Sequence, residues 1–235
     1  RTKGLFLAGV SHDLKQPVRA ITLYTGFLRH ANLQVLGEDK LRQTLDKIES
    51  AASAVHHQIS RLLELSRLQS GTLTVNLVPV DVAELLAGVQ ALLSPDAQAR
   101  GVQLHVARTG GHRVLADRRM LESVVQNLLS NAIKHSQGQR VYVGTRWRPC
   151  DPTQGHATGM ALCIEVRDNG VGIEPQRLAQ LFDAYRSFDD QHGRDSHGLG
   201  LAIARAQATY LGCDIAVASR PGRGSTFTLS GLLPA

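Results

Sequence analysis

The chain contains 235 residues, of which 43% are hydrophobic, and its 26 basic and 20 acidic side chains give a formal net charge of +6. This hydrophobic share can fill the cores of one or two domains, and no apolar run approaches the ~20 residues of a membrane-spanning helix. The basic residues form neither long blocks nor a stripe interleaved with aromatic side chains, which argues against nucleic-acid binding.

The cysteines are widely spaced and form no C-x-x-C pair; they are Cys150, Cys163 and Cys213. A disulfide framework and a cysteine zinc site are therefore not expected, and a reducing, cytoplasmic location is favoured. The chain begins with Arg1 rather than Met, so we expect a fragment, with any input domain or membrane anchor preceding it. The fragment itself is expected to make no membrane contact.

Two helices are predicted in the first seventy residues, because apolar side chains recur there at alternating spacings of three and four. The two seams are Leu7, Val10, Leu14, Pro17, Ile21, Tyr24 and Leu28, and then Leu41, Leu45, Ile48, Ala52, Val55, Ile59 and Leu62. A polar stretch at 32–40 separates them, which predicts a helical hairpin. Such narrow seams cannot close a core alone, so we expect two copies to form a four-helix bundle. The alternative is an antiparallel pair packed against the rest of the chain.

A second domain is predicted at 72–235, after a Gly stop that ends the hairpin domain at 1–71. Strands are predicted at 73–80, 102–107, 113–116, 141–148, 160–167, 213–219 and 225–232. Helices are predicted at 82–98, 118–136, 175–182 and 199–211, and a polar loop at 187–197. This order indicates an α+β fold in which helices cover one face of a mixed sheet.

The first helix carries a histidine on the side opposite its apolar seam. His12 falls at heptad position f, and Asp13 follows it directly. An exposed imidazole beside a carboxylate is a good nucleophile, because the carboxylate can accept from Nδ1 and leave the Nε2 lone pair free. Pro17 removes a helical hydrogen bond to the Asp13 carbonyl, at a cost of roughly 3 kcal/mol, which marks this segment as a functional site.

The segment Ser11-His12-Asp13-Leu14-Lys15-Gln16-Pro17-Val18 resembles the H-box of sensor histidine kinases. This resemblance implies that His12 is the phosphoacceptor and Asp13 its hydrogen-bonding base. It also brings a departure: the family commonly has Thr or Asn where this chain has Gln16, at a position that helps dephosphorylate the partner protein.

Polar and glycine residues of the second domain suggest a nucleotide site, although no G-x-x-x-x-G-K-[ST] sequence is present. Asn127 and Asn131 share one helix face, with a basic pair one turn on, and carboxamide oxygens can ligate Mg²⁺. Asp168 follows a predicted strand, and an acid there can accept from an exocyclic amine. Gly200 opens a helix whose N-terminal N–H groups suit phosphate. The alternatives are a solvated polar face and an ordinary Asp-Asn-Gly turn.

Four segments in this order resemble the motifs of the Bergerat-type ATP-binding fold shared by histidine kinases, gyrase, Hsp90 and MutL. They are the N-box at 127–134, a first glycine box at 168–172, a second at 197–201, and a last glycine motif at 222–227. The resemblance implies a C-terminal α/β sandwich that binds ATP and Mg²⁺. With the H-box, it covers essentially the whole chain.

The resemblance also implies roles for individual residues. Asn131 would be the Mg²⁺ ligand, with Asn127 beside it, and Asp168 would accept from the adenine amine. Lys134 and His135 would lie at the phosphates. The glycine boxes would contribute Gly170, Gly172, Gly198, Leu199, Gly200 and Thr226.

Two departures concern the segment before the second glycine box. Ser187 stands where the family usually has Arg or Gln, so Arg186 is the candidate γ-phosphate contact. Ser196 stands where that box usually has its first glycine.

We therefore expect a homodimeric kinase core in which ATP phosphorylates His12 and the phosphate passes to an aspartate of a response-regulator receiver domain. The H-box is similar to that of hybrid kinases, which carry a receiver after the ATP domain. One alternative is a non-catalytic ATP-binding scaffold that modulates another kinase. Another is a mechanical ATPase, but that class has a catalytic glutamate where Asn127 stands.

Overall fold

The structure is a computed structural model that describes residues 2–31, 37–70, 73–107, 109–136, 140–150, 159–183 and 199–235. For residues 2–13, 57 and 69 it describes the backbone alone. No helix within these ranges is both long enough and apolar enough to cross a membrane.

The predicted hairpin is confirmed as two long helices, α1 (Thr2–His30) and α2 (Glu38–Gln69). α1 continues through Pro17 without interruption. The ammonium of Lys47 lies 5.6 Å from the ring centre of Tyr24, so these two residues lie at similar heights along the antiparallel pair. Twelve residues before Tyr24 is position 12, and twelve after Lys47 is Ile59. The backbone of position 12 therefore lies within about one helical turn of the height of Ile59 on α2.

The predicted apolar seam of α2 is only partly buried within the single hairpin. Thr44 and Gln58 are buried, whereas Leu45 is 49% exposed and Ile59 is also largely exposed. Further exposed apolar side chains occur on α1, where Leu23 is 68% exposed. A helix of a four-helix bundle faces two neighbours, so a single hairpin leaves one such stripe uncovered.

The second domain contains one mixed, seven-stranded sheet. Its strands are β1 (Val78–Asp81), β2 (Gln103–Val106), β3 (Arg113–Ala116), β4 (Arg140–Pro149), β5 (Met160–Asp168), β6 (Asp214–Arg220) and β7 (Gly224–Pro234). The order is β1-β3-β7-β5-β4-β2, with β6 also paired to β7. Only the β2–β4 pair of these strands is parallel.

Four helices accompany the sheet: α3 (Val82–Ala99), α4 (Arg118–His135), the single turn α5 (Pro175–Leu178), and α6 (Gly200–Tyr210). Apolar faces of α3, α4 and α6 share one core with the inward residues of the strands. The α+β class is confirmed. The arrangement leaves the C-terminal end of α4 and the N-terminal end of α6 to shape a site beside β5.

Two predicted elements are too long. β1 begins at Val78 rather than 73, because its partner β3 ends at Ala116, opposite Val78, and earlier residues have no strand to pair with. The helix predicted at 175–182 is one turn followed by further turns to Asp183. The polar loop predicted at 187–197 lies outside the described residues.

Asp117 joins three chain segments at the start of α4. Its Oδ1 accepts from the backbone N–H groups of Arg119 and Met120 at 3.1 and 3.2 Å, and its Oδ2 accepts from the N–H of Asn76 at 3.1 Å. The side chain thus caps a helix that carries much of the domain core.

We predict that Asp117→Ala lowers the free energy of unfolding by about 1–2 kcal/mol, since it removes the cap. Asp117→Asn keeps one acceptor oxygen for the cap and should cost less. Urea denaturation of both variants measures the difference. Equal stability of the alanine variant and the wild type would show that the cap contributes nothing.

Candidate functional site

Asp168, the last residue of β5, is a buried carboxylate held by backbone donors. Its side chain is 4% exposed. Its Oδ1 accepts from the N–H of Gly170 at 2.9 Å and from the N–H of Ser225 at 3.2 Å. Burial raises the pKa of Asp168, while these two N–H groups and the charge of His135 act in the opposite direction. A buried carboxylate with a free oxygen can accept from an amine of a ligand.

Three glycines allow the chain to pass close to itself around Asp168. A Cβ at Gly170 would overlap the carbonyl of His135, and a Cβ at Gly224 would overlap the carbonyl of Asp168. Gly172 has a φ of +69°, and a Cβ there would overlap the carbonyl of Arg220. The loop after β5 is therefore pressed against the end of α4 on one side and the β6–β7 turn on the other.

α4 presents its predicted polar residues near this loop. Asn127, Asn131, Lys134 and His135 are half-buried. The contact between Gly170 and the His135 carbonyl joins the last turn of α4 to Asp168. The Asn127 amide donates to the Ser123 carbonyl at 2.9 Å, which orients its oxygen away from its own helix. The structure thus places the C-terminal end of the N-box helix against the loop that follows Asp168.

The N-terminal end of α6 lies against the same polar face. A Cβ at Gly200 would come within 2.9 Å of Asn127 Oδ1 and 2.7 Å of Arg61 Nη2. Arg61 belongs to α2 and donates from Nη2 to Asn127 Oδ1 at 3.0 Å. A guanidinium of the hairpin therefore reaches into the region between Asn127 and α6.

Further contacts attach α6 to the hairpin. Leu65 and Leu68 of α2 form a small buried cluster with Leu199 and Ile203. Nearby, Gln207 Nε2 donates to Glu64 Oε1 at 2.7 Å, and the Tyr210 hydroxyl donates to the Leu68 carbonyl at 2.9 Å. The hairpin and the sheet domain are thus docked through the helix that begins at Gly200.

Several predicted site residues remain predictions. Arg186 and Gly198 lie outside the described residues, as do Ser187 and Ser196, and the side chains of His12 and Asp13 are not described. Gln16 is exposed on α1. Thr226 lies on β7, opposite Arg167 of β5, and directly follows Ser225, whose N–H donates to Asp168.

Sequence reasoning missed Arg61, Glu64 and the Ser225 donor. Ser225 lies inside the last glycine motif, so a backbone contact there could have been anticipated. Arg61 and Glu64 occupy the polar side of a heptad helix, and spacing does not distinguish them from solvated charges. Their contacts are with residues far away in the sequence, which only the docked fold brings near.

We predict that Asp168→Asn leaves the nucleotide-free domain at least as stable as the wild type at neutral pH. Asparagine keeps the acceptor oxygen and removes a buried charge. Because the pKa of Asp168 is raised above its ordinary value of 3.8, its stabilising contribution is complete below that value and is lost as pH rises through the folded-state pKa.

The stability advantage of Asp168→Asn should therefore grow as pH rises from below 4 to neutrality. Thermal denaturation without nucleotide measures this, with Asp214→Asn as an exposed control. A variant that is less stable than the wild type at neutral pH would contradict the expected sign.

Comparisons with known proteins identify both parts of the chain. Residues 2–71 match the His Kinase A phospho-acceptor domain, and residues 116–234 match the histidine kinase-, DNA gyrase B- and HSP90-like ATPase. The aerobic respiration control sensor protein ArcB of Escherichia coli strain K12 is 30% identical over 98% of this chain, which spans 28% of ArcB.

Two solved structures show the same fold. Full-length ShkA in complex with AMPPNP has a TM-score of 0.71 at 23% identity, over 100% of this chain and 47% of ShkA. Histidine kinase ThkA in complex with the response regulator TrrA has a TM-score of 0.68 at 18% identity, over 97% of this chain and 60% of the other. The chain belongs to the histidine kinase family and contains both a phosphoacceptor hairpin and an ATP-binding ATPase domain.

Proposed function

We propose that this chain phosphorylates itself on His12 from ATP bound beside Asp168 and passes the phosphate to a response-regulator receiver. We assign the hairpin to residues 1–71 and the ATP-binding domain to residues 72–235. The chain spans about a quarter of ArcB, so this proposal concerns the kinase core.

The observation that carries the proposal is the height of the H-box along the docked hairpin. Position 12 lies within about one helical turn of the height of Ile59, and Ile59 is within one helical turn of Arg61. Arg61 in turn contacts Asn127 beside the start of α6. This supports a phosphate end of the nucleotide site near the height of the proposed phosphoacceptor.

The chemistry follows from the residue types. In the proposed step, Nε2 of neutral His12 attacks the γ-phosphorus in line, a P–N bond forms, and the bond to the ADP oxygen breaks. Asp13 accepts a hydrogen bond from Nδ1–H and stabilises the positive charge that develops on the ring. The N-terminal N–H groups of α6 and the basic residues of α4 stabilise the phosphate charge.

Asn131 fits the role of a Mg²⁺ ligand. Its half-buried carboxamide lies one turn after Asn127 and supplies the hard oxygen that Mg²⁺ prefers. Mg²⁺ usually needs few protein ligands, because phosphates and water complete its shell, and no group of three or more His, Cys, Asp or Glu suited to a metal occurs among the described residues. A bound ion would neutralise phosphate charge.

We also propose a homodimer. Phe27 of α1 and Leu45 of α2 are exposed and lie at nearly the same height of the hairpin. Two such hairpins would cover these stripes by forming a four-helix bundle. The receiver is proposed as a further partner, and the ThkA–TrrA complex is a precedent for such a pairing in a protein of this fold.

We predict that His12→Gln keeps the fold and ATP binding but accepts no phosphate. Incubation with γ-labelled ATP, followed by an acid-lability test of the labelled chain, measures this. His56→Gln is the matched control, because His56 is an exposed histidine of α2 and should label normally. Label retained in His12→Gln would disprove the assignment, and an unlabelled wild type that still binds ATP would favour a scaffold.

We predict weak or absent phosphatase activity toward the phosphorylated receiver. Gln16 is exposed one helical turn after His12 and has one more methylene than the usual Asn, so fixing its amide costs more side-chain entropy. A misplacement of about 1 Å can cost on the order of a hundredfold in rate.

The assay adds the core and ADP to phosphorylated receiver and compares the wild type with Gln16→Asn and Gln16→Ala. We expect Gln16→Asn to release phosphate faster than the wild type. A wild type that strips the receiver quickly, and loses this ability in Gln16→Ala, would show that glutamine is competent.

A further inference from the structure

Arg61 has an unusual environment for a charged residue of a hairpin helix. It projects from α2 into the gap between Asn127 and Gly200, and its Nη2 lies 3.0 Å from Asn127 Oδ1. Burial lowers the pKa of Arg61, and the charge of Glu64 only partly offsets this. Within the described part of the chain, Arg61 forms no ion pair.

Glu64 does not neutralise Arg61 directly. The Glu64 carboxylate accepts from Gln207 at 2.7 Å, and burial raises its pKa. Arg61 therefore relies on a neutral carboxamide as its hydrogen-bond partner. A partly buried guanidinium has several further N–H donors, and placing it beside a neutral oxygen leaves its charge poorly compensated.

The start of α6 adds to this electrostatic imbalance. Gly200 is the first residue of α6, and the N-terminal end of a helix carries a partial positive charge. Because Gly200 has no side chain, the Arg61 guanidinium can lie directly against this end of the helix. Two positive groups that converge on one point favour an anion between them, and phosphate suits both helix N–H groups and guanidinium.

We propose that Arg61 contacts the terminal phosphate of the bound nucleotide, so that the phosphoacceptor hairpin itself distinguishes ATP from ADP. This inference rests on the proposed function, because it takes the region between Asn127 and Gly200 as the phosphate end of the site. Arg61 belongs to α2, so it adds a positive charge from outside the ATPase domain. The preference for ATP therefore depends on the docked arrangement of the two domains.

The position of Arg61 along the hairpin gives this contact a consequence. Position 12 lies within about one helical turn of the height of Ile59, and Ile59 is within one turn of Arg61. A γ-phosphate bound by Arg61 is thus held near the height of the phosphoacceptor. ADP, which lacks that phosphate, leaves Arg61 with Asn127 alone, so loss of the γ-phosphate weakens the attachment between the hairpin and the ATPase domain.

The test titrates fluorescent ATP and ADP analogues, with Mg²⁺, into the wild type, Arg61→Gln, Arg61→Lys and Arg67→Gln. Arg67 is the matched control, because it is an exposed arginine of the same helix. Removing a charged hydrogen bond should weaken ATP binding by about tenfold or more. ADP binding should change by less than about threefold, as expected for a contact that ADP does not make.

Arg61→Lys keeps the charge and should retain part of the preference for ATP, and Arg67→Gln should behave as the wild type. Thermal denaturation of each variant checks that it is folded. An Arg61→Gln variant with an unchanged ratio of ATP to ADP affinity, or with tighter ATP binding, overturns the role of Arg61 and leaves the nucleotide site intact. A wild type that binds neither nucleotide overturns the proposed function and this inference together.

Discussion

The site depends on one interaction, the double backbone hydrogen bond to the buried carboxylate of Asp168. The N–H groups of Gly170 and Ser225 donate to the same oxygen, at 2.9 and 3.2 Å. They belong to the loop after β5 and to β7, so the carboxylate fastens together segments that are distant in the sequence. Burying a charge costs free energy unless the charge is hydrogen-bonded, and these two donors offset part of that cost for Asp168.

The rest of the site follows from how tightly the chain closes around that carboxylate. Because Gly170 and Gly224 have no Cβ, the loop can touch the end of α4 and the β7 backbone. The contact with α4 brings the N-box toward Asp168, and Asn127 meets the start of α6. α6 then packs on α2 through Leu199 and Ile203, so the hairpin is docked on the same side as the site.

Sequence patterns predicted those parts of the fold that local chemistry determines. β3 was predicted with its observed bounds, and α4 nearly so, because an Asp cap and a regular apolar face define that helix. Residues 73–77 were wrongly assigned to a strand, since their pattern is extended but β3 offers them no partner. The heptad pattern of α2 predicted its helix but not the burial of Thr44 and Gln58.

The motifs predicted the glycine loops and the polar face of α4, because residues a few positions apart on one helix or turn are close together whatever the tertiary packing. They could not reveal Arg61, whose contact with Asn127 forms only when the two domains dock. The same limit applies to Glu64 and Tyr210, which form their hydrogen bonds only where α2 packs against α6. Contacts between distant segments depend on packing geometry, and a single sequence does not record them.

The proposal that ATP binds with its adenine amine on Asp168 is tested most directly by competition between ATP and GTP. Guanine carries a carbonyl where adenine carries its exocyclic amine, so it would place an acceptor against the carboxylate. We expect the wild type to prefer ATP by at least ~tenfold and Asp168→Asn to lose that preference. A wild type that binds GTP as tightly as ATP, or an Asp168→Asn variant with an undiminished preference for ATP, would contradict the account.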